Sequence, residues 1–193
     1  MSRTLPARAH RTAFAAAALA TAAIGVGCTV TPMPPTVPGT PVVVFDIDGT
    51  LTDGRTTWGG PERGWCQIYS VRDGEAILRM VAAGLMVVPL SRNRTQCARL
   101  RMEHLRLDTR WTGVSDKLTA LAEIVEQHAV SLAEIAFVGD GKDDAVVAKE
   151  VGLGLAVADA HPATRAAADR ILAAAGGAHV MEEIEALLEG LHP

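Results

Sequence analysis

Apolar runs and amphipathic stretches alternate along the chain from residue 41 onward, and this alternation restricts the fold more than any other feature of the sequence. Val42–Phe45 contains no polar residue, as expected for a strand that is buried on both faces. Met86–Leu90, Ile135–Val138 and Leu153–Val157 are further apolar runs of strand length. Strands of this kind, separated by helical stretches, predict a doubly wound, Rossmann-like α/β domain with a parallel sheet over residues 41–191.

The segments between these runs predict the helices and one hairpin. The spacing of apolar residues indicates helices over residues 74–83, 95–105, 143–151 and 180–191, and a further helix that begins at Lys117. A short strand is predicted around Thr109–Trp111. Thr56–Tyr69 contains glycines, a proline and aromatic residues without a helical period, so we predict a β-hairpin with its tip at Gly59–Pro61.

Composition narrows the class of protein. A chain of 193 residues suits one domain with a short additional segment. The net charge of −4 and the isoelectric point near 5.8 provide no basic surface, so no nucleic-acid partner is expected. Cys28, Cys66 and Cys97 lack the spacing of a metal site. Cys66 and Cys97 either remain free thiols or pair with each other if the domain is exported.

Polar clusters follow the predicted strands, at the sheet edge where doubly wound folds bind their ligands. Asp46–Thr50 follows the first strand, Ser91 the second, and Gly139–Asp144 a later one, while Lys117 opens a helix. Clustered carboxylates offer Mg²⁺ the oxygen ligands that it prefers, and a carboxylate can also attack phosphorus to form an acyl-phosphate. A metal ion and an ammonium group would offset the repulsion between the two anions. The set therefore predicts Mg²⁺-dependent phosphoryl transfer from a small-molecule phosphate ester.

These clusters resemble the four ordered motifs of the haloacid dehalogenase superfamily. The first motif, DxDGT after an apolar strand, stands at Asp46–Thr50, and the fourth, GDxxxD, at Gly139–Asp144. Ser91 and Lys117 occupy the second and third motifs. The resemblance implies a phosphatase of this fold, with the small hairpin in place of a cap domain.

The resemblance also implies a role for each motif residue. Asp46 would be the covalent nucleophile, and Asp48 would protonate the leaving alcohol and then activate water. Ser91 and Lys117 would bind the phosphoryl oxygens. The implied Mg²⁺ ligands are Asp46, Asp48 through its carbonyl, Asp140 and Asp144.

Further segments resemble the capless 3-deoxy-D-manno-octulosonate 8-phosphate phosphatases, namely Leu51–Gly54, Val71–Gly74 and Val157–Ala160. That branch implies a sugar or sugar-acid phosphate as substrate and a tetramer assembled through the hairpin. The chain also departs from it: Arg92 and Asn93 stand where Gly and Arg usually follow the second motif. Gly141 replaces a second Asp of the fourth motif, and the glycine-rich stretch at residues 176–182 lacks the usual arginines.

Two other functions compete with this interpretation. A catalytically retired module of the same fold, acting as a lipid-anchored interaction protein, is the main alternative, although the aspartates of the first and fourth motifs are all retained. A phosphotransferase or mutase is less favoured, because such enzymes generally need a cap to exclude water.

The first forty residues differ from the domain. Basic residues precede an uncharged, alanine-rich run at Ala13–Val26, which is typical of a secretory signal and shorter than the roughly 20 apolar residues of a membrane span. The run leads into Gly25–Cys28, which resembles a bacterial lipoprotein processing site. We predict an export or lipoprotein signal over residues 1–28, with a membrane anchor on Cys28, and a Pro/Thr-rich linker over residues 29–40. A cytoplasmic protein with a disordered extension is the alternative.

Mass spectrometry of the membrane fraction tests this prediction. Export predicts a chain that begins at Cys28 and carries a lipid there, because processing would remove the preceding residues. An intact Met1 in the cytosolic fraction would contradict it.

Overall fold

The computed structural model of the protein describes residues 42–189. The predicted signal at residues 1–28, the linker at residues 29–40 and the predicted helix end at Leu191 lie outside the described residues. Within residues 42–189, none of the helices has both the length and the apolar character needed to cross a membrane.

A five-stranded parallel sheet forms the centre of the domain, with strand order β4–β1–β5–β6–β7. Its strands are β1 (Val42–Phe45), β4 (Met86–Pro89), β5 (Ile135–Gly139), β6 (Leu153–Ala156) and β7 (Arg170–Ile171), while β2 (Thr57–Trp58) and β3 (Trp65–Cys66) lie outside it. β1 pairs with β4 on one side and with β5 on the other, so that Phe45 lies opposite both Pro89 and Val138. The carboxyl ends of these three strands therefore meet at one edge of the sheet.

Helices cover both faces of the sheet, as the alternation of the sequence predicts. They are α1 (Val71–Ala82), α2 (Gln96–His104), α3 (Lys117–His128), α4 (Asp144–Glu150), α5 (Pro162–Ala167) and α6 (Val180–Glu189). α1, α2 and α6 pack on the face that presents Val43 and Phe45, and α3, α4 and α5 pack on the face that presents Val42 and Val44. Consecutive residues of β1 thus enter opposite cores, which explains why this strand has no polar position.

The predicted hairpin is present between β1 and α1. β2 pairs with β3 in antiparallel register, with Trp58 opposite Trp65. The two indole rings meet edge to face with centroids 5.3 Å apart. Both side chains remain more than half exposed, at 57% and 54%. The hairpin therefore presents an aromatic surface to its surroundings.

Several predicted bounds differ from the structure. The prediction of a strand around Thr109–Trp111 is wrong, because this segment forms a turn with a hydrogen bond from Thr112 N to Thr109 O. Only an isolated bridge between Ser91 and Thr112 remains. α1 begins at Val71, three residues before the predicted start, because the Ser70 side chain caps it by accepting from the Asp73 backbone amide.

The structure also contains elements that the sequence analysis did not predict. α5 and β7 are short, and alanine-rich α5 shows little apolar periodicity.

Cys66 and Cys97 are free and half-buried, so the structure contains no disulfide between them.

Candidate active site

Asp46 leaves β1 directly into a tight turn formed by Ile47–Leu51. Its backbone amide donates to Val138 O of β5 at 3.0 Å, which fixes the first position of the turn beside the neighbouring strand. Gly49 has φ +76°, and a Cβ atom there would lie 2.2 Å from a carboxylate oxygen of Asp140. Glycine is therefore required at this position by both the backbone conformation and the close approach of Asp140.

Lys117 is the first residue of α3, and the Asp116 side chain caps this helix by accepting from Leu118 N and Thr119 N. The Lys117 ammonium donates to Asp46 Oδ1 at 2.7 Å and to Asp144 Oδ1 at 2.6 Å. All three side chains are buried. A buried ammonium must be paired, and here two carboxylates pair with it.

The Asp144 carboxylate also supports the loop that follows β5. Its Oδ2 accepts from the backbone amides of Asp140 at 3.0 Å and Gly141 at 2.9 Å. At Gly139, a Cβ atom would lie 2.4 Å from Asp144 Cγ, so the backbone approaches this carboxylate closely. Asp144 thereby orients both Lys117 and Asp140.

Three carboxylates form the only group of potential metal ligands that we find within residues 42–189. Oxygens of Asp46, Asp140 and Asp144 lie within 4.8 Å of one another. Thr50 Oγ1 donates to Asp140 at 3.3 Å, which connects the turn to this group. The Asp48 carboxylate lies outside the group.

The three carboxylates of this group carry more negative charge than the Lys117 ammonium can neutralise. Burial raises the pKa of Asp46 to about 7, with Asp144 adding to the effect and Lys117 opposing it. Burial, followed by the charge of Asp144, raises the pKa of Asp140 to about 6. Burial alone would lower the pKa of Lys117, but Asp46 and Asp144 outweigh it and raise that pKa above its usual value. One ammonium thus faces three carboxylates, and a divalent cation with oxygen ligands fits the remaining negative charge.

Asp48 is held from another direction, by two side-chain amides. Its Oδ1 accepts from Asn93 Nδ2 at 2.7 Å and from Gln67 Nε2. Asn93 Nδ2 also donates to Gln67 Oε1 at 2.9 Å, and Tyr69 OH donates to the same oxygen at 3.2 Å. The Asp48 side chain is therefore held by neutral amides, whereas Lys117 pairs with Asp46 and Asp144.

Ser91 is buried just beyond the end of β4. Its backbone bonds to the segment before α3, accepting from Gly113 N at 2.7 Å and donating to Trp111 O at 3.0 Å. Its Oγ accepts from Asn93 N at 3.2 Å. The Ser91 hydroxyl is thus linked to the residue that contacts Asp48.

The structure brings the predicted residues to the same edge of the sheet in two connected groups. Asp46, Lys117, Asp140 and Asp144 form the charged group, while Asp48 and Ser91 are linked through Asn93. Sequence reasoning assigned no site role to Asn93, Gln67 or Tyr69. The signal for Asn93 was its departure from the usual Gly-Arg sequence. Nothing local predicted the position of Gln67, because the hairpin approaches the site only in the folded chain.

The chain is similar to known hydrolases in both sequence and structure. A sequence profile described as haloacid dehalogenase-like hydrolase matches residues 112–181. The 3-deoxy-D-manno-octulosonate 8-phosphate phosphatase of Escherichia coli K12 is 33% identical over 154 residues, which cover 76% of this chain and 78% of that protein.

Solved structures show the same similarity. One is the 3-deoxy-D-manno-octulosonate 8-phosphate phosphatase of Moraxella catarrhalis in complex with magnesium, phosphate and KDO, at 25% identity and a TM-score of 0.74, covering 79% of this chain and 87% of that one. The cobalt-bound Haemophilus influenzae deoxy-D-mannose-octulosonate 8-phosphate phosphatase is 28% identical with a TM-score of 0.72, covering 79% of this chain and 88% of that one.

Replacing Lys117 with Met should destabilise the protein in a pH-dependent way. The variant leaves Asp46 and Asp144 buried without their cation, so we expect the free energy of unfolding to fall by about 3–5 kcal/mol at pH 8. Burial without a cation raises the pKa of these carboxyl groups on folding, because it destabilises only their ionised form. The loss should therefore shrink as the pH is lowered towards 5.

Urea unfolding in EDTA at both pH values measures this loss. Lys142→Met, which removes an exposed ammonium from the adjacent loop, is the matched control and should change stability little. An equal loss at both pH values, or none at pH 8, would contradict the pairing of Lys117 with ionised Asp46 and Asp144.

Proposed function

The chain belongs to the haloacid dehalogenase-like hydrolases and is a phosphatase, and from that premise we propose a Mg²⁺-dependent phosphomonoesterase that acts through an aspartyl-phosphate on Asp46. The observation that carries the proposal is the pair of contacts from buried Lys117 to Asp46 and Asp144. Lys117 occupies Asp46 Oδ1, which leaves Oδ2 as the attacking atom. The fixed ammonium also favours the ionised form that a nucleophile requires.

The reaction divides into two displacements. Asp46 Oδ2 attacks phosphorus, the bond to the ester oxygen breaks, and Asp48 donates a proton to the leaving alcohol. Water then attacks the same phosphorus, Asp48 accepts a proton from that water, and Asp46 and inorganic phosphate are released. Each step uses Asp48 in the protonation state left by the step before it.

Asp46, Asp140 and Asp144 would hold Mg²⁺, and the Asp48 carbonyl would be a further ligand. When bound, the ion would neutralise the phosphoryl oxygens as the anionic nucleophile approaches. The Moraxella catarrhalis relative contains magnesium and phosphate together, which supports this choice of ion. Both oxygens of Asp144 also accept hydrogen bonds, so this residue orients Lys117 and the loop at Asp140 as well.

Lys117 and Ser91 are proposed to bind the phosphoryl oxygens. The Lys117 ammonium has three N–H donors, and two of them are engaged by Asp46 and Asp144. The third is available to an incoming phosphate. The Ser91 hydroxyl lies at the end of the neighbouring strand and has its own O–H to donate.

The substrate is proposed to be a small sugar or sugar-acid phosphate, similar to 3-deoxy-D-manno-octulosonate 8-phosphate. The identity to the Escherichia coli enzyme supports this class. Within the described chain, Gly177 N donates to Thr50 O at 2.9 Å, so the glycine-rich segment packs against the catalytic turn. Since this segment lacks arginine from residue 176 to 182, the sugar-acid carboxylate would need another partner.

For the chain outside residues 42–189, we propose export through residues 1–28 and a lipid anchor at Cys28. The basic and apolar composition of this segment is the support for this proposal.

Phosphate release from a panel of sugar, sugar-acid and nucleotide phosphates tests the proposed reaction. Turnover should require Mg²⁺ and stop in EDTA. Asp46→Asn should reduce kcat by about a thousandfold or more, because the nucleophile is removed. The substrate with the highest kcat/KM identifies the branch.

Asp143→Asn is the matched control, since this exposed aspartate lies beside Asp144 and pairs with Arg92. It should retain activity. Turnover in EDTA, or full activity in Asp46→Asn, would contradict the proposal.

The hairpin is proposed to assemble a homotetramer, as in the branch that the sequence resembles. Exposed apolar side chains cluster on and after the hairpin, namely Trp58, Trp65, Ile68 and Val71. A surface of this kind is typical of an interface between copies.

Light scattering of the purified protein should give four times the mass of one chain. The double variant Trp58→Ser, Trp65→Ser should give a smaller mass. The control is Leu100→Ser, at an exposed apolar residue of α2, which should leave the mass unchanged. A monomeric unmodified protein would contradict the proposal.

A further inference from the structure

Two side-chain amides converge on one oxygen of Asp48. Asn93 Nδ2 donates to Asp48 Oδ1 at 2.7 Å, and Gln67 Nε2 donates to the same atom. Asn93 follows β4, and Gln67 follows β3 of the hairpin, so the two donors arrive from separate parts of the chain. The neighbouring Asp46 is held by an ammonium, whereas Asp48 is held by neutral groups.

The orientation of the Asn93 amide is determined by its other contacts. Its Oδ1 accepts from Thr95 N at 2.8 Å and from Thr95 Oγ1 at 2.7 Å. An amide nitrogen in that position would face the Thr95 backbone N–H, which can only donate, so the oxygen must point towards Thr95 and the NH₂ group towards Asp48. Asn93 N also donates to Ser91 Oγ at 3.2 Å, and the residue is buried.

The orientation of the Gln67 amide is determined in the same way. Its Oε1 accepts from Asn93 Nδ2 at 2.9 Å and from Tyr69 OH at 3.2 Å. The Gln67 NH₂ group must therefore point towards Asp48. Each amide fixes the other, and Tyr69 and Thr95 fix the outer ends of the network.

This arrangement distinguishes the two oxygens of Asp48. An oxygen that accepts two N–H donors has no room for a proton of its own, because a carboxyl O–H would face those donors. The proton that Asp48 transfers must then be carried by Oδ2. An acid that can rotate freely would present either oxygen, whereas this one is fixed.

We propose that Asn93 and Gln67 are positioning residues that hold Asp48 Oδ1, so that Oδ2 faces the leaving oxygen of the substrate. This inference rests on the proposed role of Asp48 as the general acid. It gives Asn93, a departure from the usual second motif, a function in the reaction. It also makes the hairpin part of the catalytic machinery through Gln67.

The test compares kcat/KM for two substrates that differ in their leaving group. An alkyl phosphate, such as the best sugar phosphate of the panel, needs a proton on its leaving oxygen, whereas p-nitrophenolate leaves without one. General acid catalysis contributes about 10²–10⁴-fold where it is needed. kcat/KM covers the steps up to departure of the alcohol, so the later hydrolysis of the aspartyl-phosphate does not enter the comparison.

Asn93→Ala and Gln67→Ala are each expected to lower kcat/KM for the alkyl phosphate by about 30–100-fold and for p-nitrophenyl phosphate by less than about 3-fold. Asp48→Asn should show the same selectivity with a larger loss. Gln67→Ala lies in the hairpin and keeps the test valid if Asn93→Ala weakens folding through the Thr95 cap of α2. Gln96→Ala removes an exposed amide at the start of α2 and should change neither value.

Equal losses for the two substrates in Gln67→Ala, or no loss for the alkyl phosphate, would overturn the inference while the phosphatase reaction stands. If the unmodified protein hydrolyses neither substrate in Mg²⁺, the proposed function fails, and the inference fails with it.

Discussion

The buried ammonium of Lys117 between Asp46 and Asp144 is the interaction on which the rest of the site depends. Carboxylates so close together, away from water, would repel one another and take up protons. Lys117 keeps two of them paired, and its place as the first residue of α3 is fixed by the Asp116 cap. The position of these carboxylates thus depends on how one helix begins.

The parallel sheet places these groups together without any long excursion of the chain. β1 and β5 are neighbours, so that Asp46 and Asp140, which follow them, lie at the same edge. Glycine at position 49 lets the turn approach Asp140 at a distance that no side chain would permit. The result is an excess of negative charge that suits a divalent cation, beside the neutral amides of Asn93 and Gln67 that hold Asp48.

Much of this arrangement follows from the sequence, for physical reasons. β1 lies between two cores, so its apolar run is unambiguous, and the residues after it must lie at the sheet edge. The segment around Trp111 misled the prediction because an apolar residue buried in a turn has the local pattern of a strand. The contact of Gln67 with Asp48 depends on where the hairpin folds back, and no local sequence pattern predicts that position.

The proposed reaction requires that Asp46 becomes covalently phosphorylated. Turnover with Mg²⁺ and substrate would be stopped in acid, the protein reduced with borohydride, and its peptides analysed by mass spectrometry. Reduction of an aspartyl-phosphate yields homoserine, so we expect homoserine at position 46, dependent on both substrate and Mg²⁺ and absent from Asp46→Asn. Homoserine at position 48 instead, or an unmodified Asp46 in an enzyme that is turning over, would contradict it.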